Sequence, residues 1–243
     1  GVTIDRRRFY ERLIESDVLP TTSQATPAAF VKEFEAVRQA GESAVVITIS
    51  AELSGTYQSA CIAAADYEDI YVVDSRSAAI GSGILAELAL EWAADGMAAA
   101  ELAGLLTKKR DDICLLGLLD TEYLRRGGRI SRTAALAGGL LGIKPVVTLE
   151  NGAVTMIGKA RGSKQGNNLL VQKVRESGGI DFSLPILLGY TGLSDALLQK
   201  YVADSAALWR DHCGSLEQTL LCSVIGTHTG PGVVAVAFFK NGV

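Results

Sequence analysis

Apolar and polar positions along the chain fall into two kinds of block, continuous β-branched runs and stripes at helical spacing. The runs at 44–49 (AVVITI), 70–73 and 113–119 are apolar throughout, which suits strands buried on both faces, as a parallel sheet requires. Between them lie the stripes. Phe9, Leu13 and Ile14 share one face of a helix predicted over 6–15. Phe30, Phe34 and Val37 share a face of a second helix, which opens on Thr26 and Pro27 as N-cap and first residue and stops at Gly41. Further helices are predicted over 79–93 and 98–110. Strand and helix therefore alternate through the first half, the pattern of a parallel α/β domain, although the sequence opens on a helix where such a domain opens on a strand.

The second half has a different texture. Asn151-Gly152 stands between β-like runs at 144–149 and 153–159, a strong hairpin signal. An apolar helix is predicted over 133–141, long helices over 162–177 and 194–209, and strands near 184–190, 220–225 and 233–239. Hairpin plus long helices indicates α+β organisation. The expectation is two domains, α/β over 1–110 and α+β over 111–243, with a ligand site between them.

Several apolar runs end in small polar residues, and these carry the candidate chemistry. In 47–59, ITISAELSGTYQS, Ser50 closes a strand and Ser54 is placed to cap a helix bearing Tyr57, Cys61, Ile62 and Ala65, with Gly55 and Thr56 keeping its entrance low and polar. Such a helix start points backbone N–H groups and a positive dipole end past the strand, where an anion fits and where open α/β sheets bind ligands. Thr22 and Ser23 lie just before the Thr26 cap, in a stretch that equally suits turn-forming hydroxyls. In 226–232, GTHTGPG, His228 is flanked by Thr227 and Thr229 in what reads as a glycine-rich turn after a strand. This is neither a P-loop nor a dinucleotide fingerprint, because Pro231 and a following strand exclude both. His228 there is either hydrogen-bonded scaffolding or a donor to a carboxylate, an acid or a base.

A formal net charge of −4 gives no general attraction to nucleic acid. Arg125, Arg126, Arg129 and Arg132, around Gly127 and Gly128, are the local exception. They form a solvated loop, an anion-binding or docking surface, or a nucleic-acid patch, the last without the interleaved aromatics such patches use. Lys159 and Arg161, ending a hairpin strand, are placed to join that surface. No apolar run reaches the ~18–20 residues of a membrane span, and the charged amphipathic opening is no signal peptide, so a cytoplasmic protein is expected. Cys61, Cys114, Cys213 and Cys222 lack C-x-x-C spacing and read as small buried residues, neither bridged nor metal-bound. No nucleophile elbow, histidine pair or arguable carboxylate pair is present. The residues thus show no complete catalytic set and describe a protein that binds an anionic ligand between two domains, with no cofactor or metal expected.

TSQATP (22–27), LSGTYQSA (53–60), VDSRSAAIGSG (73–83), YLRRGGRIS (123–131), IKPVVTLENG (143–152), GKARGSKQ (158–165) and HTGPG (228–232) together, in order and spacing, closely resemble the DegV family of bacterial fatty-acid-binding proteins. The resemblance covers essentially the whole chain. It implies a two-domain α/β protein holding a long-chain fatty acid in an apolar tunnel, carboxylate at the domain junction, and presenting it to a separate fatty acid kinase subunit. By that likeness Thr22, Ser23, Ser54, Gly55, Thr56, His228 and Thr229 contribute to the head-group site, and Arg129 and Arg161 to acyl phosphate or kinase docking. Members carry one further strand, with an Asp-Ser motif, ahead of the region matching Gly1, and that first strand is absent from this sequence. The competing reading is a self-sufficient enzyme acting on a small carbonyl or phosphorylated substrate through His228, like the substrate subunits of dihydroxyacetone kinase; a small polar cavity at His228 would be its mark.

Overall fold

Helix caps fix the start of the chain. In a computed structural model, which describes residues 3–129 and 142–242, the Asp5 side chain accepts from the Arg8 N–H at 2.8 Å and opens α1 (Arg6–Glu15). The Thr26 hydroxyl accepts from the Ala29 N–H and opens α2 (Pro27–Ala40), which Gly41 closes in the left-handed region at φ +67°. Then follow β1 (Ala44–Thr48), α3 (Thr56–Ala64), β2 (Ile70–Asp74), α4 (Ile80–Ala94) and α5 (Ala99–Lys109). The later elements are β3 (Ile113–Leu118), α6 (Thr121–Arg126), β4 (Ile143–Glu150), β5 (Ala153–Arg161), α7 (Gly162–Glu176), β6 (Leu187–Tyr190), α8 (Ala196–Asp204), α9 (Ala206–Trp209), β7 (Glu217–Leu220), α10 (Ser223–Thr229) and β8 (Val234–Phe239).

The strands form two sheets, a parallel pair β1-β2 and a mixed six-stranded sheet ordered β5-β4-β3-β8-β6-β7. Among the described residues, β6 and β7 are the one parallel pair of neighbours in the larger sheet. Here the sequence expectation needs correcting, because β3 does not continue the parallel pattern of β1 and β2 but lies antiparallel between β4 and β8. An apolar run specifies burial on both faces and leaves strand direction open.

Strand periodicity divides the core. All six residues of β8 are buried, with Ala235, Ala237 and Phe239 on one face and Val234, Val236 and Phe238 on the other. The first face packs on α4, whose Ile80, Ile84, Leu85 and Leu88 are buried, and α5 carries this core on to Val45, Ile47 and Val73 of the parallel pair. The second face takes Leu170 and Val174 of α7 and Leu198 and Tyr201 of α8. A third, smaller cluster joins Phe34 of α2 and Ala63 of α3 to Ala44, Val46 and Ile70, on the outer face of the parallel pair.

Other differences have local causes. The helix expected over 194–209 is broken at Ser205, whose Oγ donates to the Tyr201 carbonyl and accepts from Trp209 Nε1. The strand expected at 220–225 stops at Leu220, and α10 follows. Of the four cysteines expected to be buried only Cys114 is; Cys61 and Cys213 are half-buried and Cys222 is exposed. The helix expected over 133–141 and Arg132 lie outside the described residues. At the predicted hairpin, Asn151 and Gly152 both have positive φ, +51° and +84°, joining β4 to β5. Among the described residues no helix is long and apolar enough to cross a membrane.

Candidate functional site

Between the parallel pair and the inner face of the large sheet lies a cavity of about 330 Å³. Most of its wall is apolar: Ile49 and Leu53 after β1, Ala78 and Ala79 before α4, Leu115, Gly117, Val147, Leu149, Val154 and Ala235 from the sheet, and Val224 and Ile225 from α10. Its polar groups come from separate segments. Thr22, Ser23 and Gln24 enter from the loop before α2, Ser54 and Thr56 from the start of α3, Arg129 from beyond α6, Thr148 from β4, and His228 and Thr229 from the end of α10.

Thr22 and His228 are joined directly, with Oγ1 to Nε2 at 2.8 Å. The other ring nitrogen, Nδ1, lies 3.1 Å from the Gly127 carbonyl oxygen, which also accepts from Arg129 Nη1. A carbonyl only accepts, so Nδ1 carries the proton, and in the neutral ring Nε2 is the acceptor for the Thr22 hydroxyl. Burial, and secondarily the Arg129 charge, lower the His228 pKa against the raising effect of its Gly127 hydrogen bond. The imidazole is therefore neutral at neutral pH. Gly127 also fits where other residues would not, since a Cβ there would lie 2.9 Å from His228 Nδ1.

His228 is carried by helix, not by a turn after a strand. α10 has Val, Ile, Gly and Thr at positions where helices prefer other residues, so tertiary contact holds it. Gly226 lets the rings of Tyr10 and Phe9 come against the helix backbone, and Tyr10 Oη donates to the Leu221 carbonyl at 3.1 Å. Gly230, at φ +72°, ends α10 against the Tyr123 ring, with its carbonyl held by Thr191 Oγ1. Thr229 spends its hydroxyl proton on the Ile225 carbonyl.

Ser54 does not cap α3. The N-cap is Gly55, while Ser54 Oγ accepts the Thr56 N–H and lies 2.9 Å from Thr56 Oγ1, a local serine turn ahead of the helix. That hydroxyl pair shares one bond between two protons. Among the described residues the other proton has no acceptor, leaving a donor for a ligand. Gly55 does not line the cavity; it makes room for the Gln24 side chain, whose Nε2 donates to Ser59 Oγ and ties the Thr22 loop to α3. Arg161 is also outside the cavity, exposed at the start of α7. Arg126 is turned away, donating to Glu122 and to the Asp17 carbonyl.

Sequence reasoning passed over Gln24 and the whole apolar lining. The signal for Gln24 was its place in the TTSQAT stretch. The lining had none, because its residues come from strands, loops and a helix whose neighbours the sequence does not name.

Comparison with known proteins agrees across sequence and structure. The profile of a family described as "uncharacterised protein, DegV family" matches residues 1–241. A DegV domain-containing protein of Caldanaerobacter subterraneus is 33% identical over 247 residues, covering 98% of this chain and 85% of the relative. A fatty-acid-binding DegV family protein from Thermus thermophilus superposes with a TM-score of 0.84 at 27% identity, over 98% of this chain and 85% of that one. A Thermotoga maritima protein described as revealing fatty acid binding function gives 0.81 at 26% identity, over 96% and 82%.

Proposed function

This chain belongs to the DegV family, and from that premise we propose that it binds a long-chain fatty acid, acyl chain in the apolar cavity and carboxylate at Thr22, His228 and the Ser54–Thr56 pair. The observation that carries the reading is the make-up of the cavity, a mostly apolar wall that also carries the bonded Thr22–His228 pair, the Ser54–Thr56 hydroxyls and the Arg129 guanidinium. Its volume of about 330 Å³ is in the ~300–1,000 Å³ range of small-molecule sites. Chain burial dominates the energetics. A dozen methylenes at ~0.8 kcal/mol each give roughly 10 kcal/mol gross, against ~1.5–3 kcal/mol for a charge-assisted hydrogen bond to the carboxylate.

The finer part of the proposal is that the protein does no chemistry alone and presents the carboxylate to a separate fatty acid kinase subunit. Arg129 supports it: the residue is exposed where it lines the cavity, and among the described residues its guanidinium has no carboxylate partner. An enzyme turning over a small polar substrate at His228 is disfavoured by the apolar space that continues from that residue. The test is mass spectrometry of organic extracts of the purified protein, together with direct titration of the delipidated chain. Near-stoichiometric long-chain fatty acid, or tight binding of added acid, is expected; an empty extract and no binding would overturn the assignment.

A further inference from the structure

The apolar cavity has a neighbour. A second cavity of about 440 Å³ is lined by polar and charged residues, among them Arg76, Arg110 and Lys240, and shares Leu115 and Leu149 with the first. These two leucines belong together. Gly117 pairs with Val147 across antiparallel β3 and β4, and Leu115 and Leu149, each two residues along its strand from that pair, share its face of the sheet and line both cavities. Both are half-buried, as expected of side chains with open space on two sides. Leu115 also lies away from His228. β3 runs from Leu115 toward α6 and then Gly127, the carbonyl that holds His228.

The position of Leu149 is fixed from behind. Just beyond it, the hairpin tip is tied to the loop after β1 by Ser50 Oγ, which donates to the Gly152 carbonyl at 2.8 Å in a buried hydrogen bond. Gly152 is needed there, since a Cβ would run into Ser50 Oγ. Past the leucines an advancing methyl group would strip water from arginine and lysine side chains without replacing those hydrogen bonds.

We propose that Leu115 and Leu149 form the stop that sets the longest acyl chain this protein accepts, an inference that rests on the fatty-acid reading above. Truncating either side chain opens the apolar cavity toward its neighbour. Each further methylene taken up is then worth about fourfold in affinity, so two carbons beyond the wild-type optimum should gain about fifteenfold relative to the optimum acid.

The test is a competition series of saturated acids, increasing by two carbons, on the delipidated full chain and on Leu149→Ala, Leu115→Ala and Leu149→Phe, with circular dichroism as the check on folding. The alanine variants should move the optimum to longer acids and Leu149→Phe to shorter ones. If wild type binds acids and the folded variants keep its length profile, the stop is wrong while the fatty-acid assignment stands. If wild type binds no acid of any length, the fatty-acid assignment falls and the stop falls with it. Should the alanine variants fail to fold, Leu149→Phe decides alone: a shortened optimum supports the stop and an unchanged one overturns it.

Discussion

Raising the pH probes the Thr22–His228 pair directly. With Nδ1–H given to the Gly127 carbonyl and the ring neutral, Thr22 spends its one hydroxyl proton on Nε2, so a carboxylate arriving at Thr22 meets lone pairs. Two rearrangements relieve this. The imidazole can shift to its other tautomer, which sets an Nδ1 lone pair against the Gly127 oxygen at 3.1 Å and forfeits a hydrogen bond, at a cost of ~1–3 kcal/mol. Alternatively the ring takes up a proton, Nε2–H donates to Thr22, and Thr22 donates to the carboxylate. Every group is then satisfied, and the ligand's negative charge offsets the repulsion from Arg129, the charged neighbour that lowers the His228 pKa among the described residues. Binding should therefore take up close to one proton per fatty acid. Affinity then falls as pH rises above about 7, by up to about tenfold or ~1.4 kcal/mol per unit. Calorimetric titration at one pH in phosphate and in Tris counts the protons from the difference in apparent enthalpy. His228→Gln, which donates and accepts without titrating, should take up none. Tight wild-type binding with a count of zero would refute protonation of His228 on binding.

Four further outcomes are expected. Arg129→Ala should hold fatty acid within a few-fold of wild type in a retention assay, yet slow phosphorylation by a cognate kinase at least about tenfold, or ~1.4 kcal/mol in the transition state. Because the folded His228 pKa lies below the unfolded one, its stability contribution is complete above about 6.5 and is lost as pH falls toward the folded value; urea midpoints against pH should show a drop that His228→Gln flattens. Gly230→Ala forces a side chain into φ +72° and into the Tyr123 ring, costing ~1–3 kcal/mol, visible in thermal unfolding. A thiol reagent followed by peptide mapping should label exposed Cys222 in the native protein and spare Cys114, whose pKa burial pushes up to about 11.

What the sequence showed and what it hid divide along a physical line. Local chemistry was legible: the Thr26–Pro27 cap, the Gly41 stop and the Asn151-Gly152 turn each rest on conformational preferences confined to a few residues. Strand direction was not, since β3 looks the same whichever way its neighbours run. α10 was hidden for the opposite reason. Its β-branched residues argue for a strand, and only Tyr10 and Phe9, more than two hundred residues earlier in the chain, supply the packing that makes it a helix. Thr22, Ser54 and His228 stood out as hydroxyls and a histidine beside glycines and strand ends, but the residues alone left each open between scaffold and site, and only the family resemblance drew them together. The apolar wall of the cavity did not stand out, because Leu115 and Leu149 differ from other core leucines only in what lies beyond them.

The position of β8 has a consequence on the ribosome. It is made after every other described strand of its sheet, yet its place is inside, between β3 and β6. Until it emerges, β3 and β6 present unpaired backbone edges to each other across an empty slot, and such edges invite pairing with other chains. At ~5–20 residues per second, the interval between completing β6 and completing β8 is roughly 2 to 10 s. His228 appears within that same interval, so the bond from Thr22, across 206 residues, cannot close earlier. A nascent chain thus lacks a complete cavity until β8 is in place between β3 and β6.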